Sequence, residues 1–241
     1  MKVLLFASVL TIVGACAHKR HSEKLEDVKN SVQYEQKNVV QDIANTITAA
    51  ELKDLVYELS SKDNGGRRTG SFGHDRACKF IKNYYINQGI ETPLGSDNYY
   101  QHIPKSFFIN DIESSQNVLA YIKGSEYPDE VLVISAHSDH LGIKDELINP
   151  GADDNGSGTS ALLEIAEAFK IAQDQGFGPK RSILFLHLTG EEEGLYGSRY
   201  YIEHPVVALK NTIANLNIDM IGRVDEIHKN NTNYIYLIGS D

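Results

Sequence analysis

The sequence predicts an α/β fold: a mostly parallel (mixed) central sheet with helices on both faces. Three observations carry that prediction. The run Val131–Ile134 is β-branched and aliphatic and reads as a buried strand rather than a helix, and Ser182–Leu188 and Thr212–Ile218 read as further strands. Apolar residues recur at helical spacing between them, over 159–172 and again over 195–203. Strands alternating with helices in this way make a sheet that is covered on both sides.

The chain opens with Met1-Lys2 and the apolar run VLLFASVLTIV, a basic and then a hydrophobic region. The run is shorter than the ~20 apolar residues a membrane span needs. It ends Val13-Gly14-Ala15-Cys16, small residues before a cysteine, and this resembles a bacterial lipoprotein signal. That resemblance implies a signal peptide over 1–16 and a lipid on Cys16. It also implies a place in the bacterial cell envelope, membrane-anchored on the periplasmic or surface side. Residues 17–46 are polar and charged and suit a tether. Residues 47–241 are long enough for one domain with a sizeable core. The 33 acids against 23 lysines and arginines leave no basic stripe to offset phosphate, which argues against a nucleic-acid partner.

Within that domain, Thr48 and Glu51 have capping-box spacing and open a helix that runs to Leu59. Residues 60–73 are rich in turn formers. Ala77, Phe80, Ile81, Tyr84 and Tyr85 then mark a helix ended by Gly89, with Cys78 as buried filler inside it. Tyr99–Ile103, Phe107–Ile112 and Val118–Ile122 read as short strands, the last two as an antiparallel pair. A final strand is expected over Tyr234–Ile238.

The chemistry sits at strand ends, where open α/β sheets gather their ligands. Val131–Ile134 runs into Ala136-His137-Ser138-Asp139 and, after a polar loop, into Gly151-Ala152-Asp153-Asp154-Asn155-Gly156-Ser157-Gly158. Ser182–Leu188 runs into Thr189-Gly190-Glu191-Glu192-Glu193, and Thr212–Ile218 into Asp219. Histidine nitrogen and carboxylate oxygen suit zinc, and a carboxylate can bridge two ions. A phosphate-loop reading of GADDNGSG is poor, because it has no Walker lysine and its acids would repel phosphate.

The segments SAHSDHLG, GADDNGSG, TGEEEGLYGSRYY and LNIDMIGR resemble the signature segments of the co-catalytic zinc aminopeptidases. This is the aminopeptidase Y and bacterial leucyl aminopeptidase family, related to glutamate carboxypeptidase II. GRRTGSFGHDRACKFI is similar to that family's N-terminal part. The resemblance implies a zinc-exopeptidase fold, two zinc ions and peptide substrates. It implies His137 and Asp219 as ligands of one zinc, Asp154 as the bridge and Glu192 as ligand of the other. It makes Glu191 the general base and Asp139 the acid that orients His137. Asp153, His140 and Glu193 match no ligand role, and His187 is expected to be packed in the core.

The same resemblance implies a further histidine ligand well downstream of Asp219. His228, in EIHKNN, is expected to be an exposed residue and not that ligand. The expectation is then of a catalytic domain lacking its C-terminal part, with one firm zinc at most and little activity. A binding-module lipoprotein without catalysis is the rival expectation. Carboxypeptidase or aminoacyl cyclase chemistry is a lesser one on the same scaffold.

Overall fold

The computed structural model describes residues 36–109, 111–231 and 234–239. The expected signal peptide, Cys16 and most of the polar tether lie outside the described residues. Two compact units divide between Val40 and Gln41. Helix α1 (Lys37–Ala44) lies in the stretch read as tether, and everything below concerns the second unit.

Helix α2 (Ala49–Leu59) is capped by Thr48, at the position the capping-box spacing marks. The Glu51 amide donates to Thr48 Oγ1 at 3.2 Å, and that hydroxyl donates to Glu51 Oε2 at 2.6 Å. Helix α3 (Phe72–Asn87) is capped by Ser71, whose Oγ accepts from the His74 amide. The strands that follow are β1 (Tyr100–Ile103), β2 (Ser115–Ile122) and β3 (Tyr127–His137). A small hairpin, β4 (Ile143–Lys144) with β5 (Leu147–Ile148), leads to a wide turn over Ala152–Ser157 and then helix α4 (Gly158–Asp174). Strand β6 (Arg181–Leu188), helix α5 (Tyr196–Glu203) and strand β7 (Thr212–Asn217) complete the regular elements.

The sheet order is β1-β2-β6-β3-β7, antiparallel through β1, β2 and β6 and parallel through β6, β3 and β7. One face buries Ile81, Tyr85, Leu162, Ala166, Ile134 and Phe185 beneath α3 and α4. The other buries Val131, Val133, Leu184, Leu186 and Leu119 against Tyr201 of α5. A fully buried aliphatic or aromatic side chain contributes about 1.5–3 kcal/mol, so these two layers hold the sheet rigid beneath its strand ends.

Two expected strands are corrected. Phe107–Ile112 forms no strand among its described residues; a tight turn over Lys105–Phe107 precedes an irregular segment. Phe108 and Ile112 sink into a small cluster with Ile103 and Tyr196, and the Ile109 amide donates to Tyr196 Oη. The antiparallel partners of β2 are therefore β1, with Tyr100 opposite Val118, and β6, with His187 opposite Val118. Tyr234–Ile238 is likewise irregular: Ile235, Leu237 and Ile238 are exposed, and Tyr234 stacks on His228 instead of joining the sheet. Apolar content alone predicted both strands, and local aromatic packing decided against them.

Candidate metal centre

The parallel part of the sheet brings the predicted residues to one edge. Because β3 lies between β6 and β7, its exit loop is flanked by theirs; His137 pairs with Leu188 and Ser135 with Asn217. The fourth loop, carrying Asp154, is drawn in by two bonds. Thr159 Oγ1 donates to the His137 carbonyl at 2.8 Å, and Asn155 Nδ2 donates to the Ile218 carbonyl at 2.9 Å. Asn155 Oδ1 in turn accepts from the amides of Gly158 and Met220, so one side chain ties the Asp154 and Asp219 loops together. Position 158 must be glycine here, since a Cβ would stand 2.6 Å from the Ile218 carbonyl oxygen. The Asp154–Asn155 peptide is cis.

Two three-residue donor groups result, and both include Asp154: His137 with Asp154 and Asp219, and His140 with Asp154 and Glu192. His137 Nε2 lies 3.2 Å from Asp154 Oδ1 and 3.5 Å from Asp219 Oδ1. His140 Nδ1 lies 2.7 Å from Glu192 Oε1 and 3.9 Å from the other Asp154 oxygen, Oδ2. The two oxygens of one carboxylate thus face different histidines. His140 was read from sequence as a loop residue without a ligand role. The fold places it with the second group, which accordingly has three donors rather than two. The signal in sequence was its spacing from His137 in His-Ser-Asp-His.

Asp139 is fully buried behind His137. His137 Nδ1 lies 3.2 Å from the Asp139 carbonyl oxygen and 3.6 Å from its Oδ1. The Asp139 carboxylate accepts from Thr69 Oγ1 at 2.8 Å and from the Glu191 amide at 3.2 Å. Burial works to raise its pKa, but the bond from His137, the charges of His74 and His137 and the Thr69 hydroxyl outweigh it, and the pKa is lowered. Burial also disfavours a charged His137, yet Asp139 and Asp219 prevail and raise it to about 10. That negative field favours a cation at this point of the structure.

Glu191 belongs to neither donor group. It borders a pocket shared with His137, Asp219, Leu195, Ser198 and Asn215. Partial burial and the neighbouring charges of Glu192, Asp139 and Asp219 raise its pKa, with His137 opposing. The remaining acids have other partners: Glu193 pairs with Arg68 at 2.8 Å, and Asp153 accepts from Ser157 and from the Gly222 amide. His228, expected to be exposed, is half-buried: it pairs with Asp225 at 2.8 Å, stacks on Tyr234 and stands in neither donor group. His187 is fully buried against Tyr85, and Cys78 is buried beside His74.

Residues 117–233 match peptidase family M28. These residues form an M28 peptidase domain. The chain is 33% identical to aminopeptidase YwaD of Bacillus subtilis (strain 168) over 135 residues, covering 52% of this chain and 27% of that protein. Leupeptin-inactivating enzyme 1 of Streptomyces exfoliatus is 31% identical over 180 residues, covering 73% of this chain and 36% of that one. The chain therefore spans about a third of the length of these relatives. The crystal structure of LapA from Legionella pneumophila superposes with a TM-score of 0.58 at 20% identity, over 79% of this chain and 48% of LapA. That likeness establishes the zinc-exopeptidase fold of the M28 domain. His137, Asp139, Asp154, Glu191, Glu192 and Asp219 all lie within the matched residues, as does His140.

Proposed function

We propose that the chain is a zinc-dependent exopeptidase, an aminopeptidase that releases N-terminal residues from peptides. The observation that carries this reading is the paired donor set sharing Asp154, with Glu191 beside it and outside both groups. The donors fit zinc: one histidine nitrogen and two carboxylates in each group, in a field that favours cations. His137, Asp154 and Asp219 would hold one ion; His140, Asp154 and Glu192 would hold the other. Zinc bound there would supply electrophilic activation of the scissile carbonyl and of water near neutral pH.

The chain's own residues do the rest. Glu191, kept out of coordination and raised in pKa, takes a proton from the attacking water and returns it to the leaving amine. Asp139 holds His137 in one orientation, so that Nε2 faces the acids. Glu191, Glu192 and Asp219 give the cleft a negative rim suited to the cationic amino end of a peptide. Both relatives are named as enzymes and the Bacillus one as an aminopeptidase, which supports peptidase chemistry over a purely binding role. The sequence MKVLLFASVLTIVGAC supports a lipid on Cys16 and hence a position on the bacterial cell envelope, facing peptides in the periplasm or outside the cell.

The test is hydrolysis of amino-acid anilides by the zinc-loaded chain, with free and with blocked amino ends. Cleavage of the free substrates alone supports the aminopeptidase. Cleavage of blocked peptides from the carboxyl end, or cyclisation of a glutaminyl substrate, moves the reading to the carboxypeptidase or cyclase. Zinc binding with no turnover of any of them favours the binding module.

A further inference from the structure

Arg67 is the largest fully buried side chain among the described residues, 1% exposed and in the left-handed region at φ 51°. Among the described residues it forms no ion pair with a carboxylate. Its guanidinium instead donates to four backbone carbonyls. Nε reaches Ser138 O at 3.0 Å, and Nη1 reaches Leu59 O at 2.6 Å and Pro150 O at 2.8 Å. Nη2 reaches Gly151 O at 2.8 Å. Ser138 lies between His137 and Asp139, and Gly151 immediately precedes the turn that carries Asp154. Leu59 is the last residue of α2, so both loops are referred to a helix end. Burial pulls the guanidinium pKa down to about 10, with Asp139 and Asp154 opposing, so it is a cation at neutral pH.

The neighbours of Arg67 extend the pattern. The Arg67 carbonyl accepts from the His140 amide at 3.1 Å, and the Gly66 carbonyl accepts from the Gly142 amide at 2.9 Å. Thr69 Oγ1 donates to Asp139 Oδ2 at 2.8 Å and accepts from the Gly190 amide at 3.1 Å, which reaches the loop after β6. Three loops that carry donors (137–140, 150–154 and 190–192) are therefore fastened to one short segment, and none of these bonds comes from a metal-binding side chain.

We infer that the segment Arg67–Thr69 is a positioning strap for the metal centre, with Arg67 as its principal positioning residue. The inference rests on the metal reading above. A planar guanidinium offers donors in fixed directions and can hold four carbonyls at once; an ammonium offers three donors from one point and cannot. Arg67 sets the separation of the His137–His140 loop from the Asp154 loop, and Thr69 holds Asp139 and the loop of Glu191 and Glu192 in register with them.

The experiment compares wild type, R67K and T69V by zinc affinity in competition with a chromophoric chelator. It adds the visible absorption band of the cobalt(II)-loaded chain and thermal melting of the metal-free chain. R67K is expected to weaken zinc by about 10- to 100-fold, the range found when the partners of metal ligands are removed, and to shift the cobalt band. T69V, nearly isosteric and keeping Arg67, is expected to move both in the same direction by less. An R67K chain that melts earlier but keeps wild-type zinc affinity and an unchanged band would make Arg67 a stabilising residue only and overturn the strap. If R67K fails to fold, T69V decides: wild-type affinity and band in that variant overturn it. Failure of wild type itself to bind either metal would overturn the metal reading and this inference together, an outcome distinct from loss of the contrast between variants.

Discussion

His140 Nδ1 lies 2.7 Å from Glu192 Oε1, although the two residues are 52 positions apart on loops that leave different strands. The parallel pairing of β3 with β6 makes this contact, since it delivers both loops to one edge of the sheet. With Asp154 Oδ2 also near, His140 turns a pair of carboxylates into a three-donor group.

H140A is therefore expected to lower zinc content from two equivalents towards one, with the remaining ion held by His137, Asp154 and Asp219. Metal analysis after dialysis against buffered zinc checks this. Unchanged content in H140A would return His140 to the role of a loop residue.

Glu191→Gln keeps the shape of the side chain and removes its basicity. Zinc content is expected to stay at the wild-type level while turnover falls by about 10²- to 10⁴-fold, the usual contribution of a positioned acid–base group. The corresponding Glu192→Gln is expected to lose metal. The opposite pattern would show that these adjacent acids have each other's roles.

Most of the site was legible in the sequence because strand ends announce themselves. Each strand run gives way within three residues to a histidine or an acid, and parallel strands must bring those ends together. His137, Asp139, Asp154, Glu191, Glu192 and Asp219 needed only that rule and the motif resemblance to be singled out. Arg67, Thr69 and Asn155 were not legible as site residues, because their partners are backbone carbonyls and amides or a carboxylate 70 positions away. His140 carried a spacing signal, but only the pairing of β3 with β6 showed which acid it faces. The strands expected at Phe107–Ile112 and Tyr234–Ile238 failed for a related reason. Aromatic side chains gave the same apolar signal whether they paired in a sheet or packed on Tyr196 and His228.

The buried pair Tyr85–His187 makes a prediction about acid stability. Tyr85 Oη and His187 Nε2 are 2.6 Å apart, both residues are fully buried, and burial lowers the His187 pKa from 6.5 to about 3. The fold thus keeps His187 neutral while the unfolded chain takes up a proton below pH ~6.5, so stability falls as pH drops from there towards about 3. Between pH 7 and pH 5 this amounts to about 2 kcal/mol. Urea unfolding with chelator present should show a smaller loss over that range in H187Q than in wild type, the fully buried His74, whose pKa burial also lowers, accounting for what remains. Parallel pH profiles for the two would mean that His187 does not govern the acid limb.

Zinc equivalents per chain in wild type and D154N test whether the Asp154 carboxylate is shared by both donor groups. About two equivalents are expected in wild type at neutral pH and loss of both in D154N, with the fold retained by circular dichroism. A wild-type chain that holds no zinc, or a D154N chain that holds as much as wild type, would contradict it.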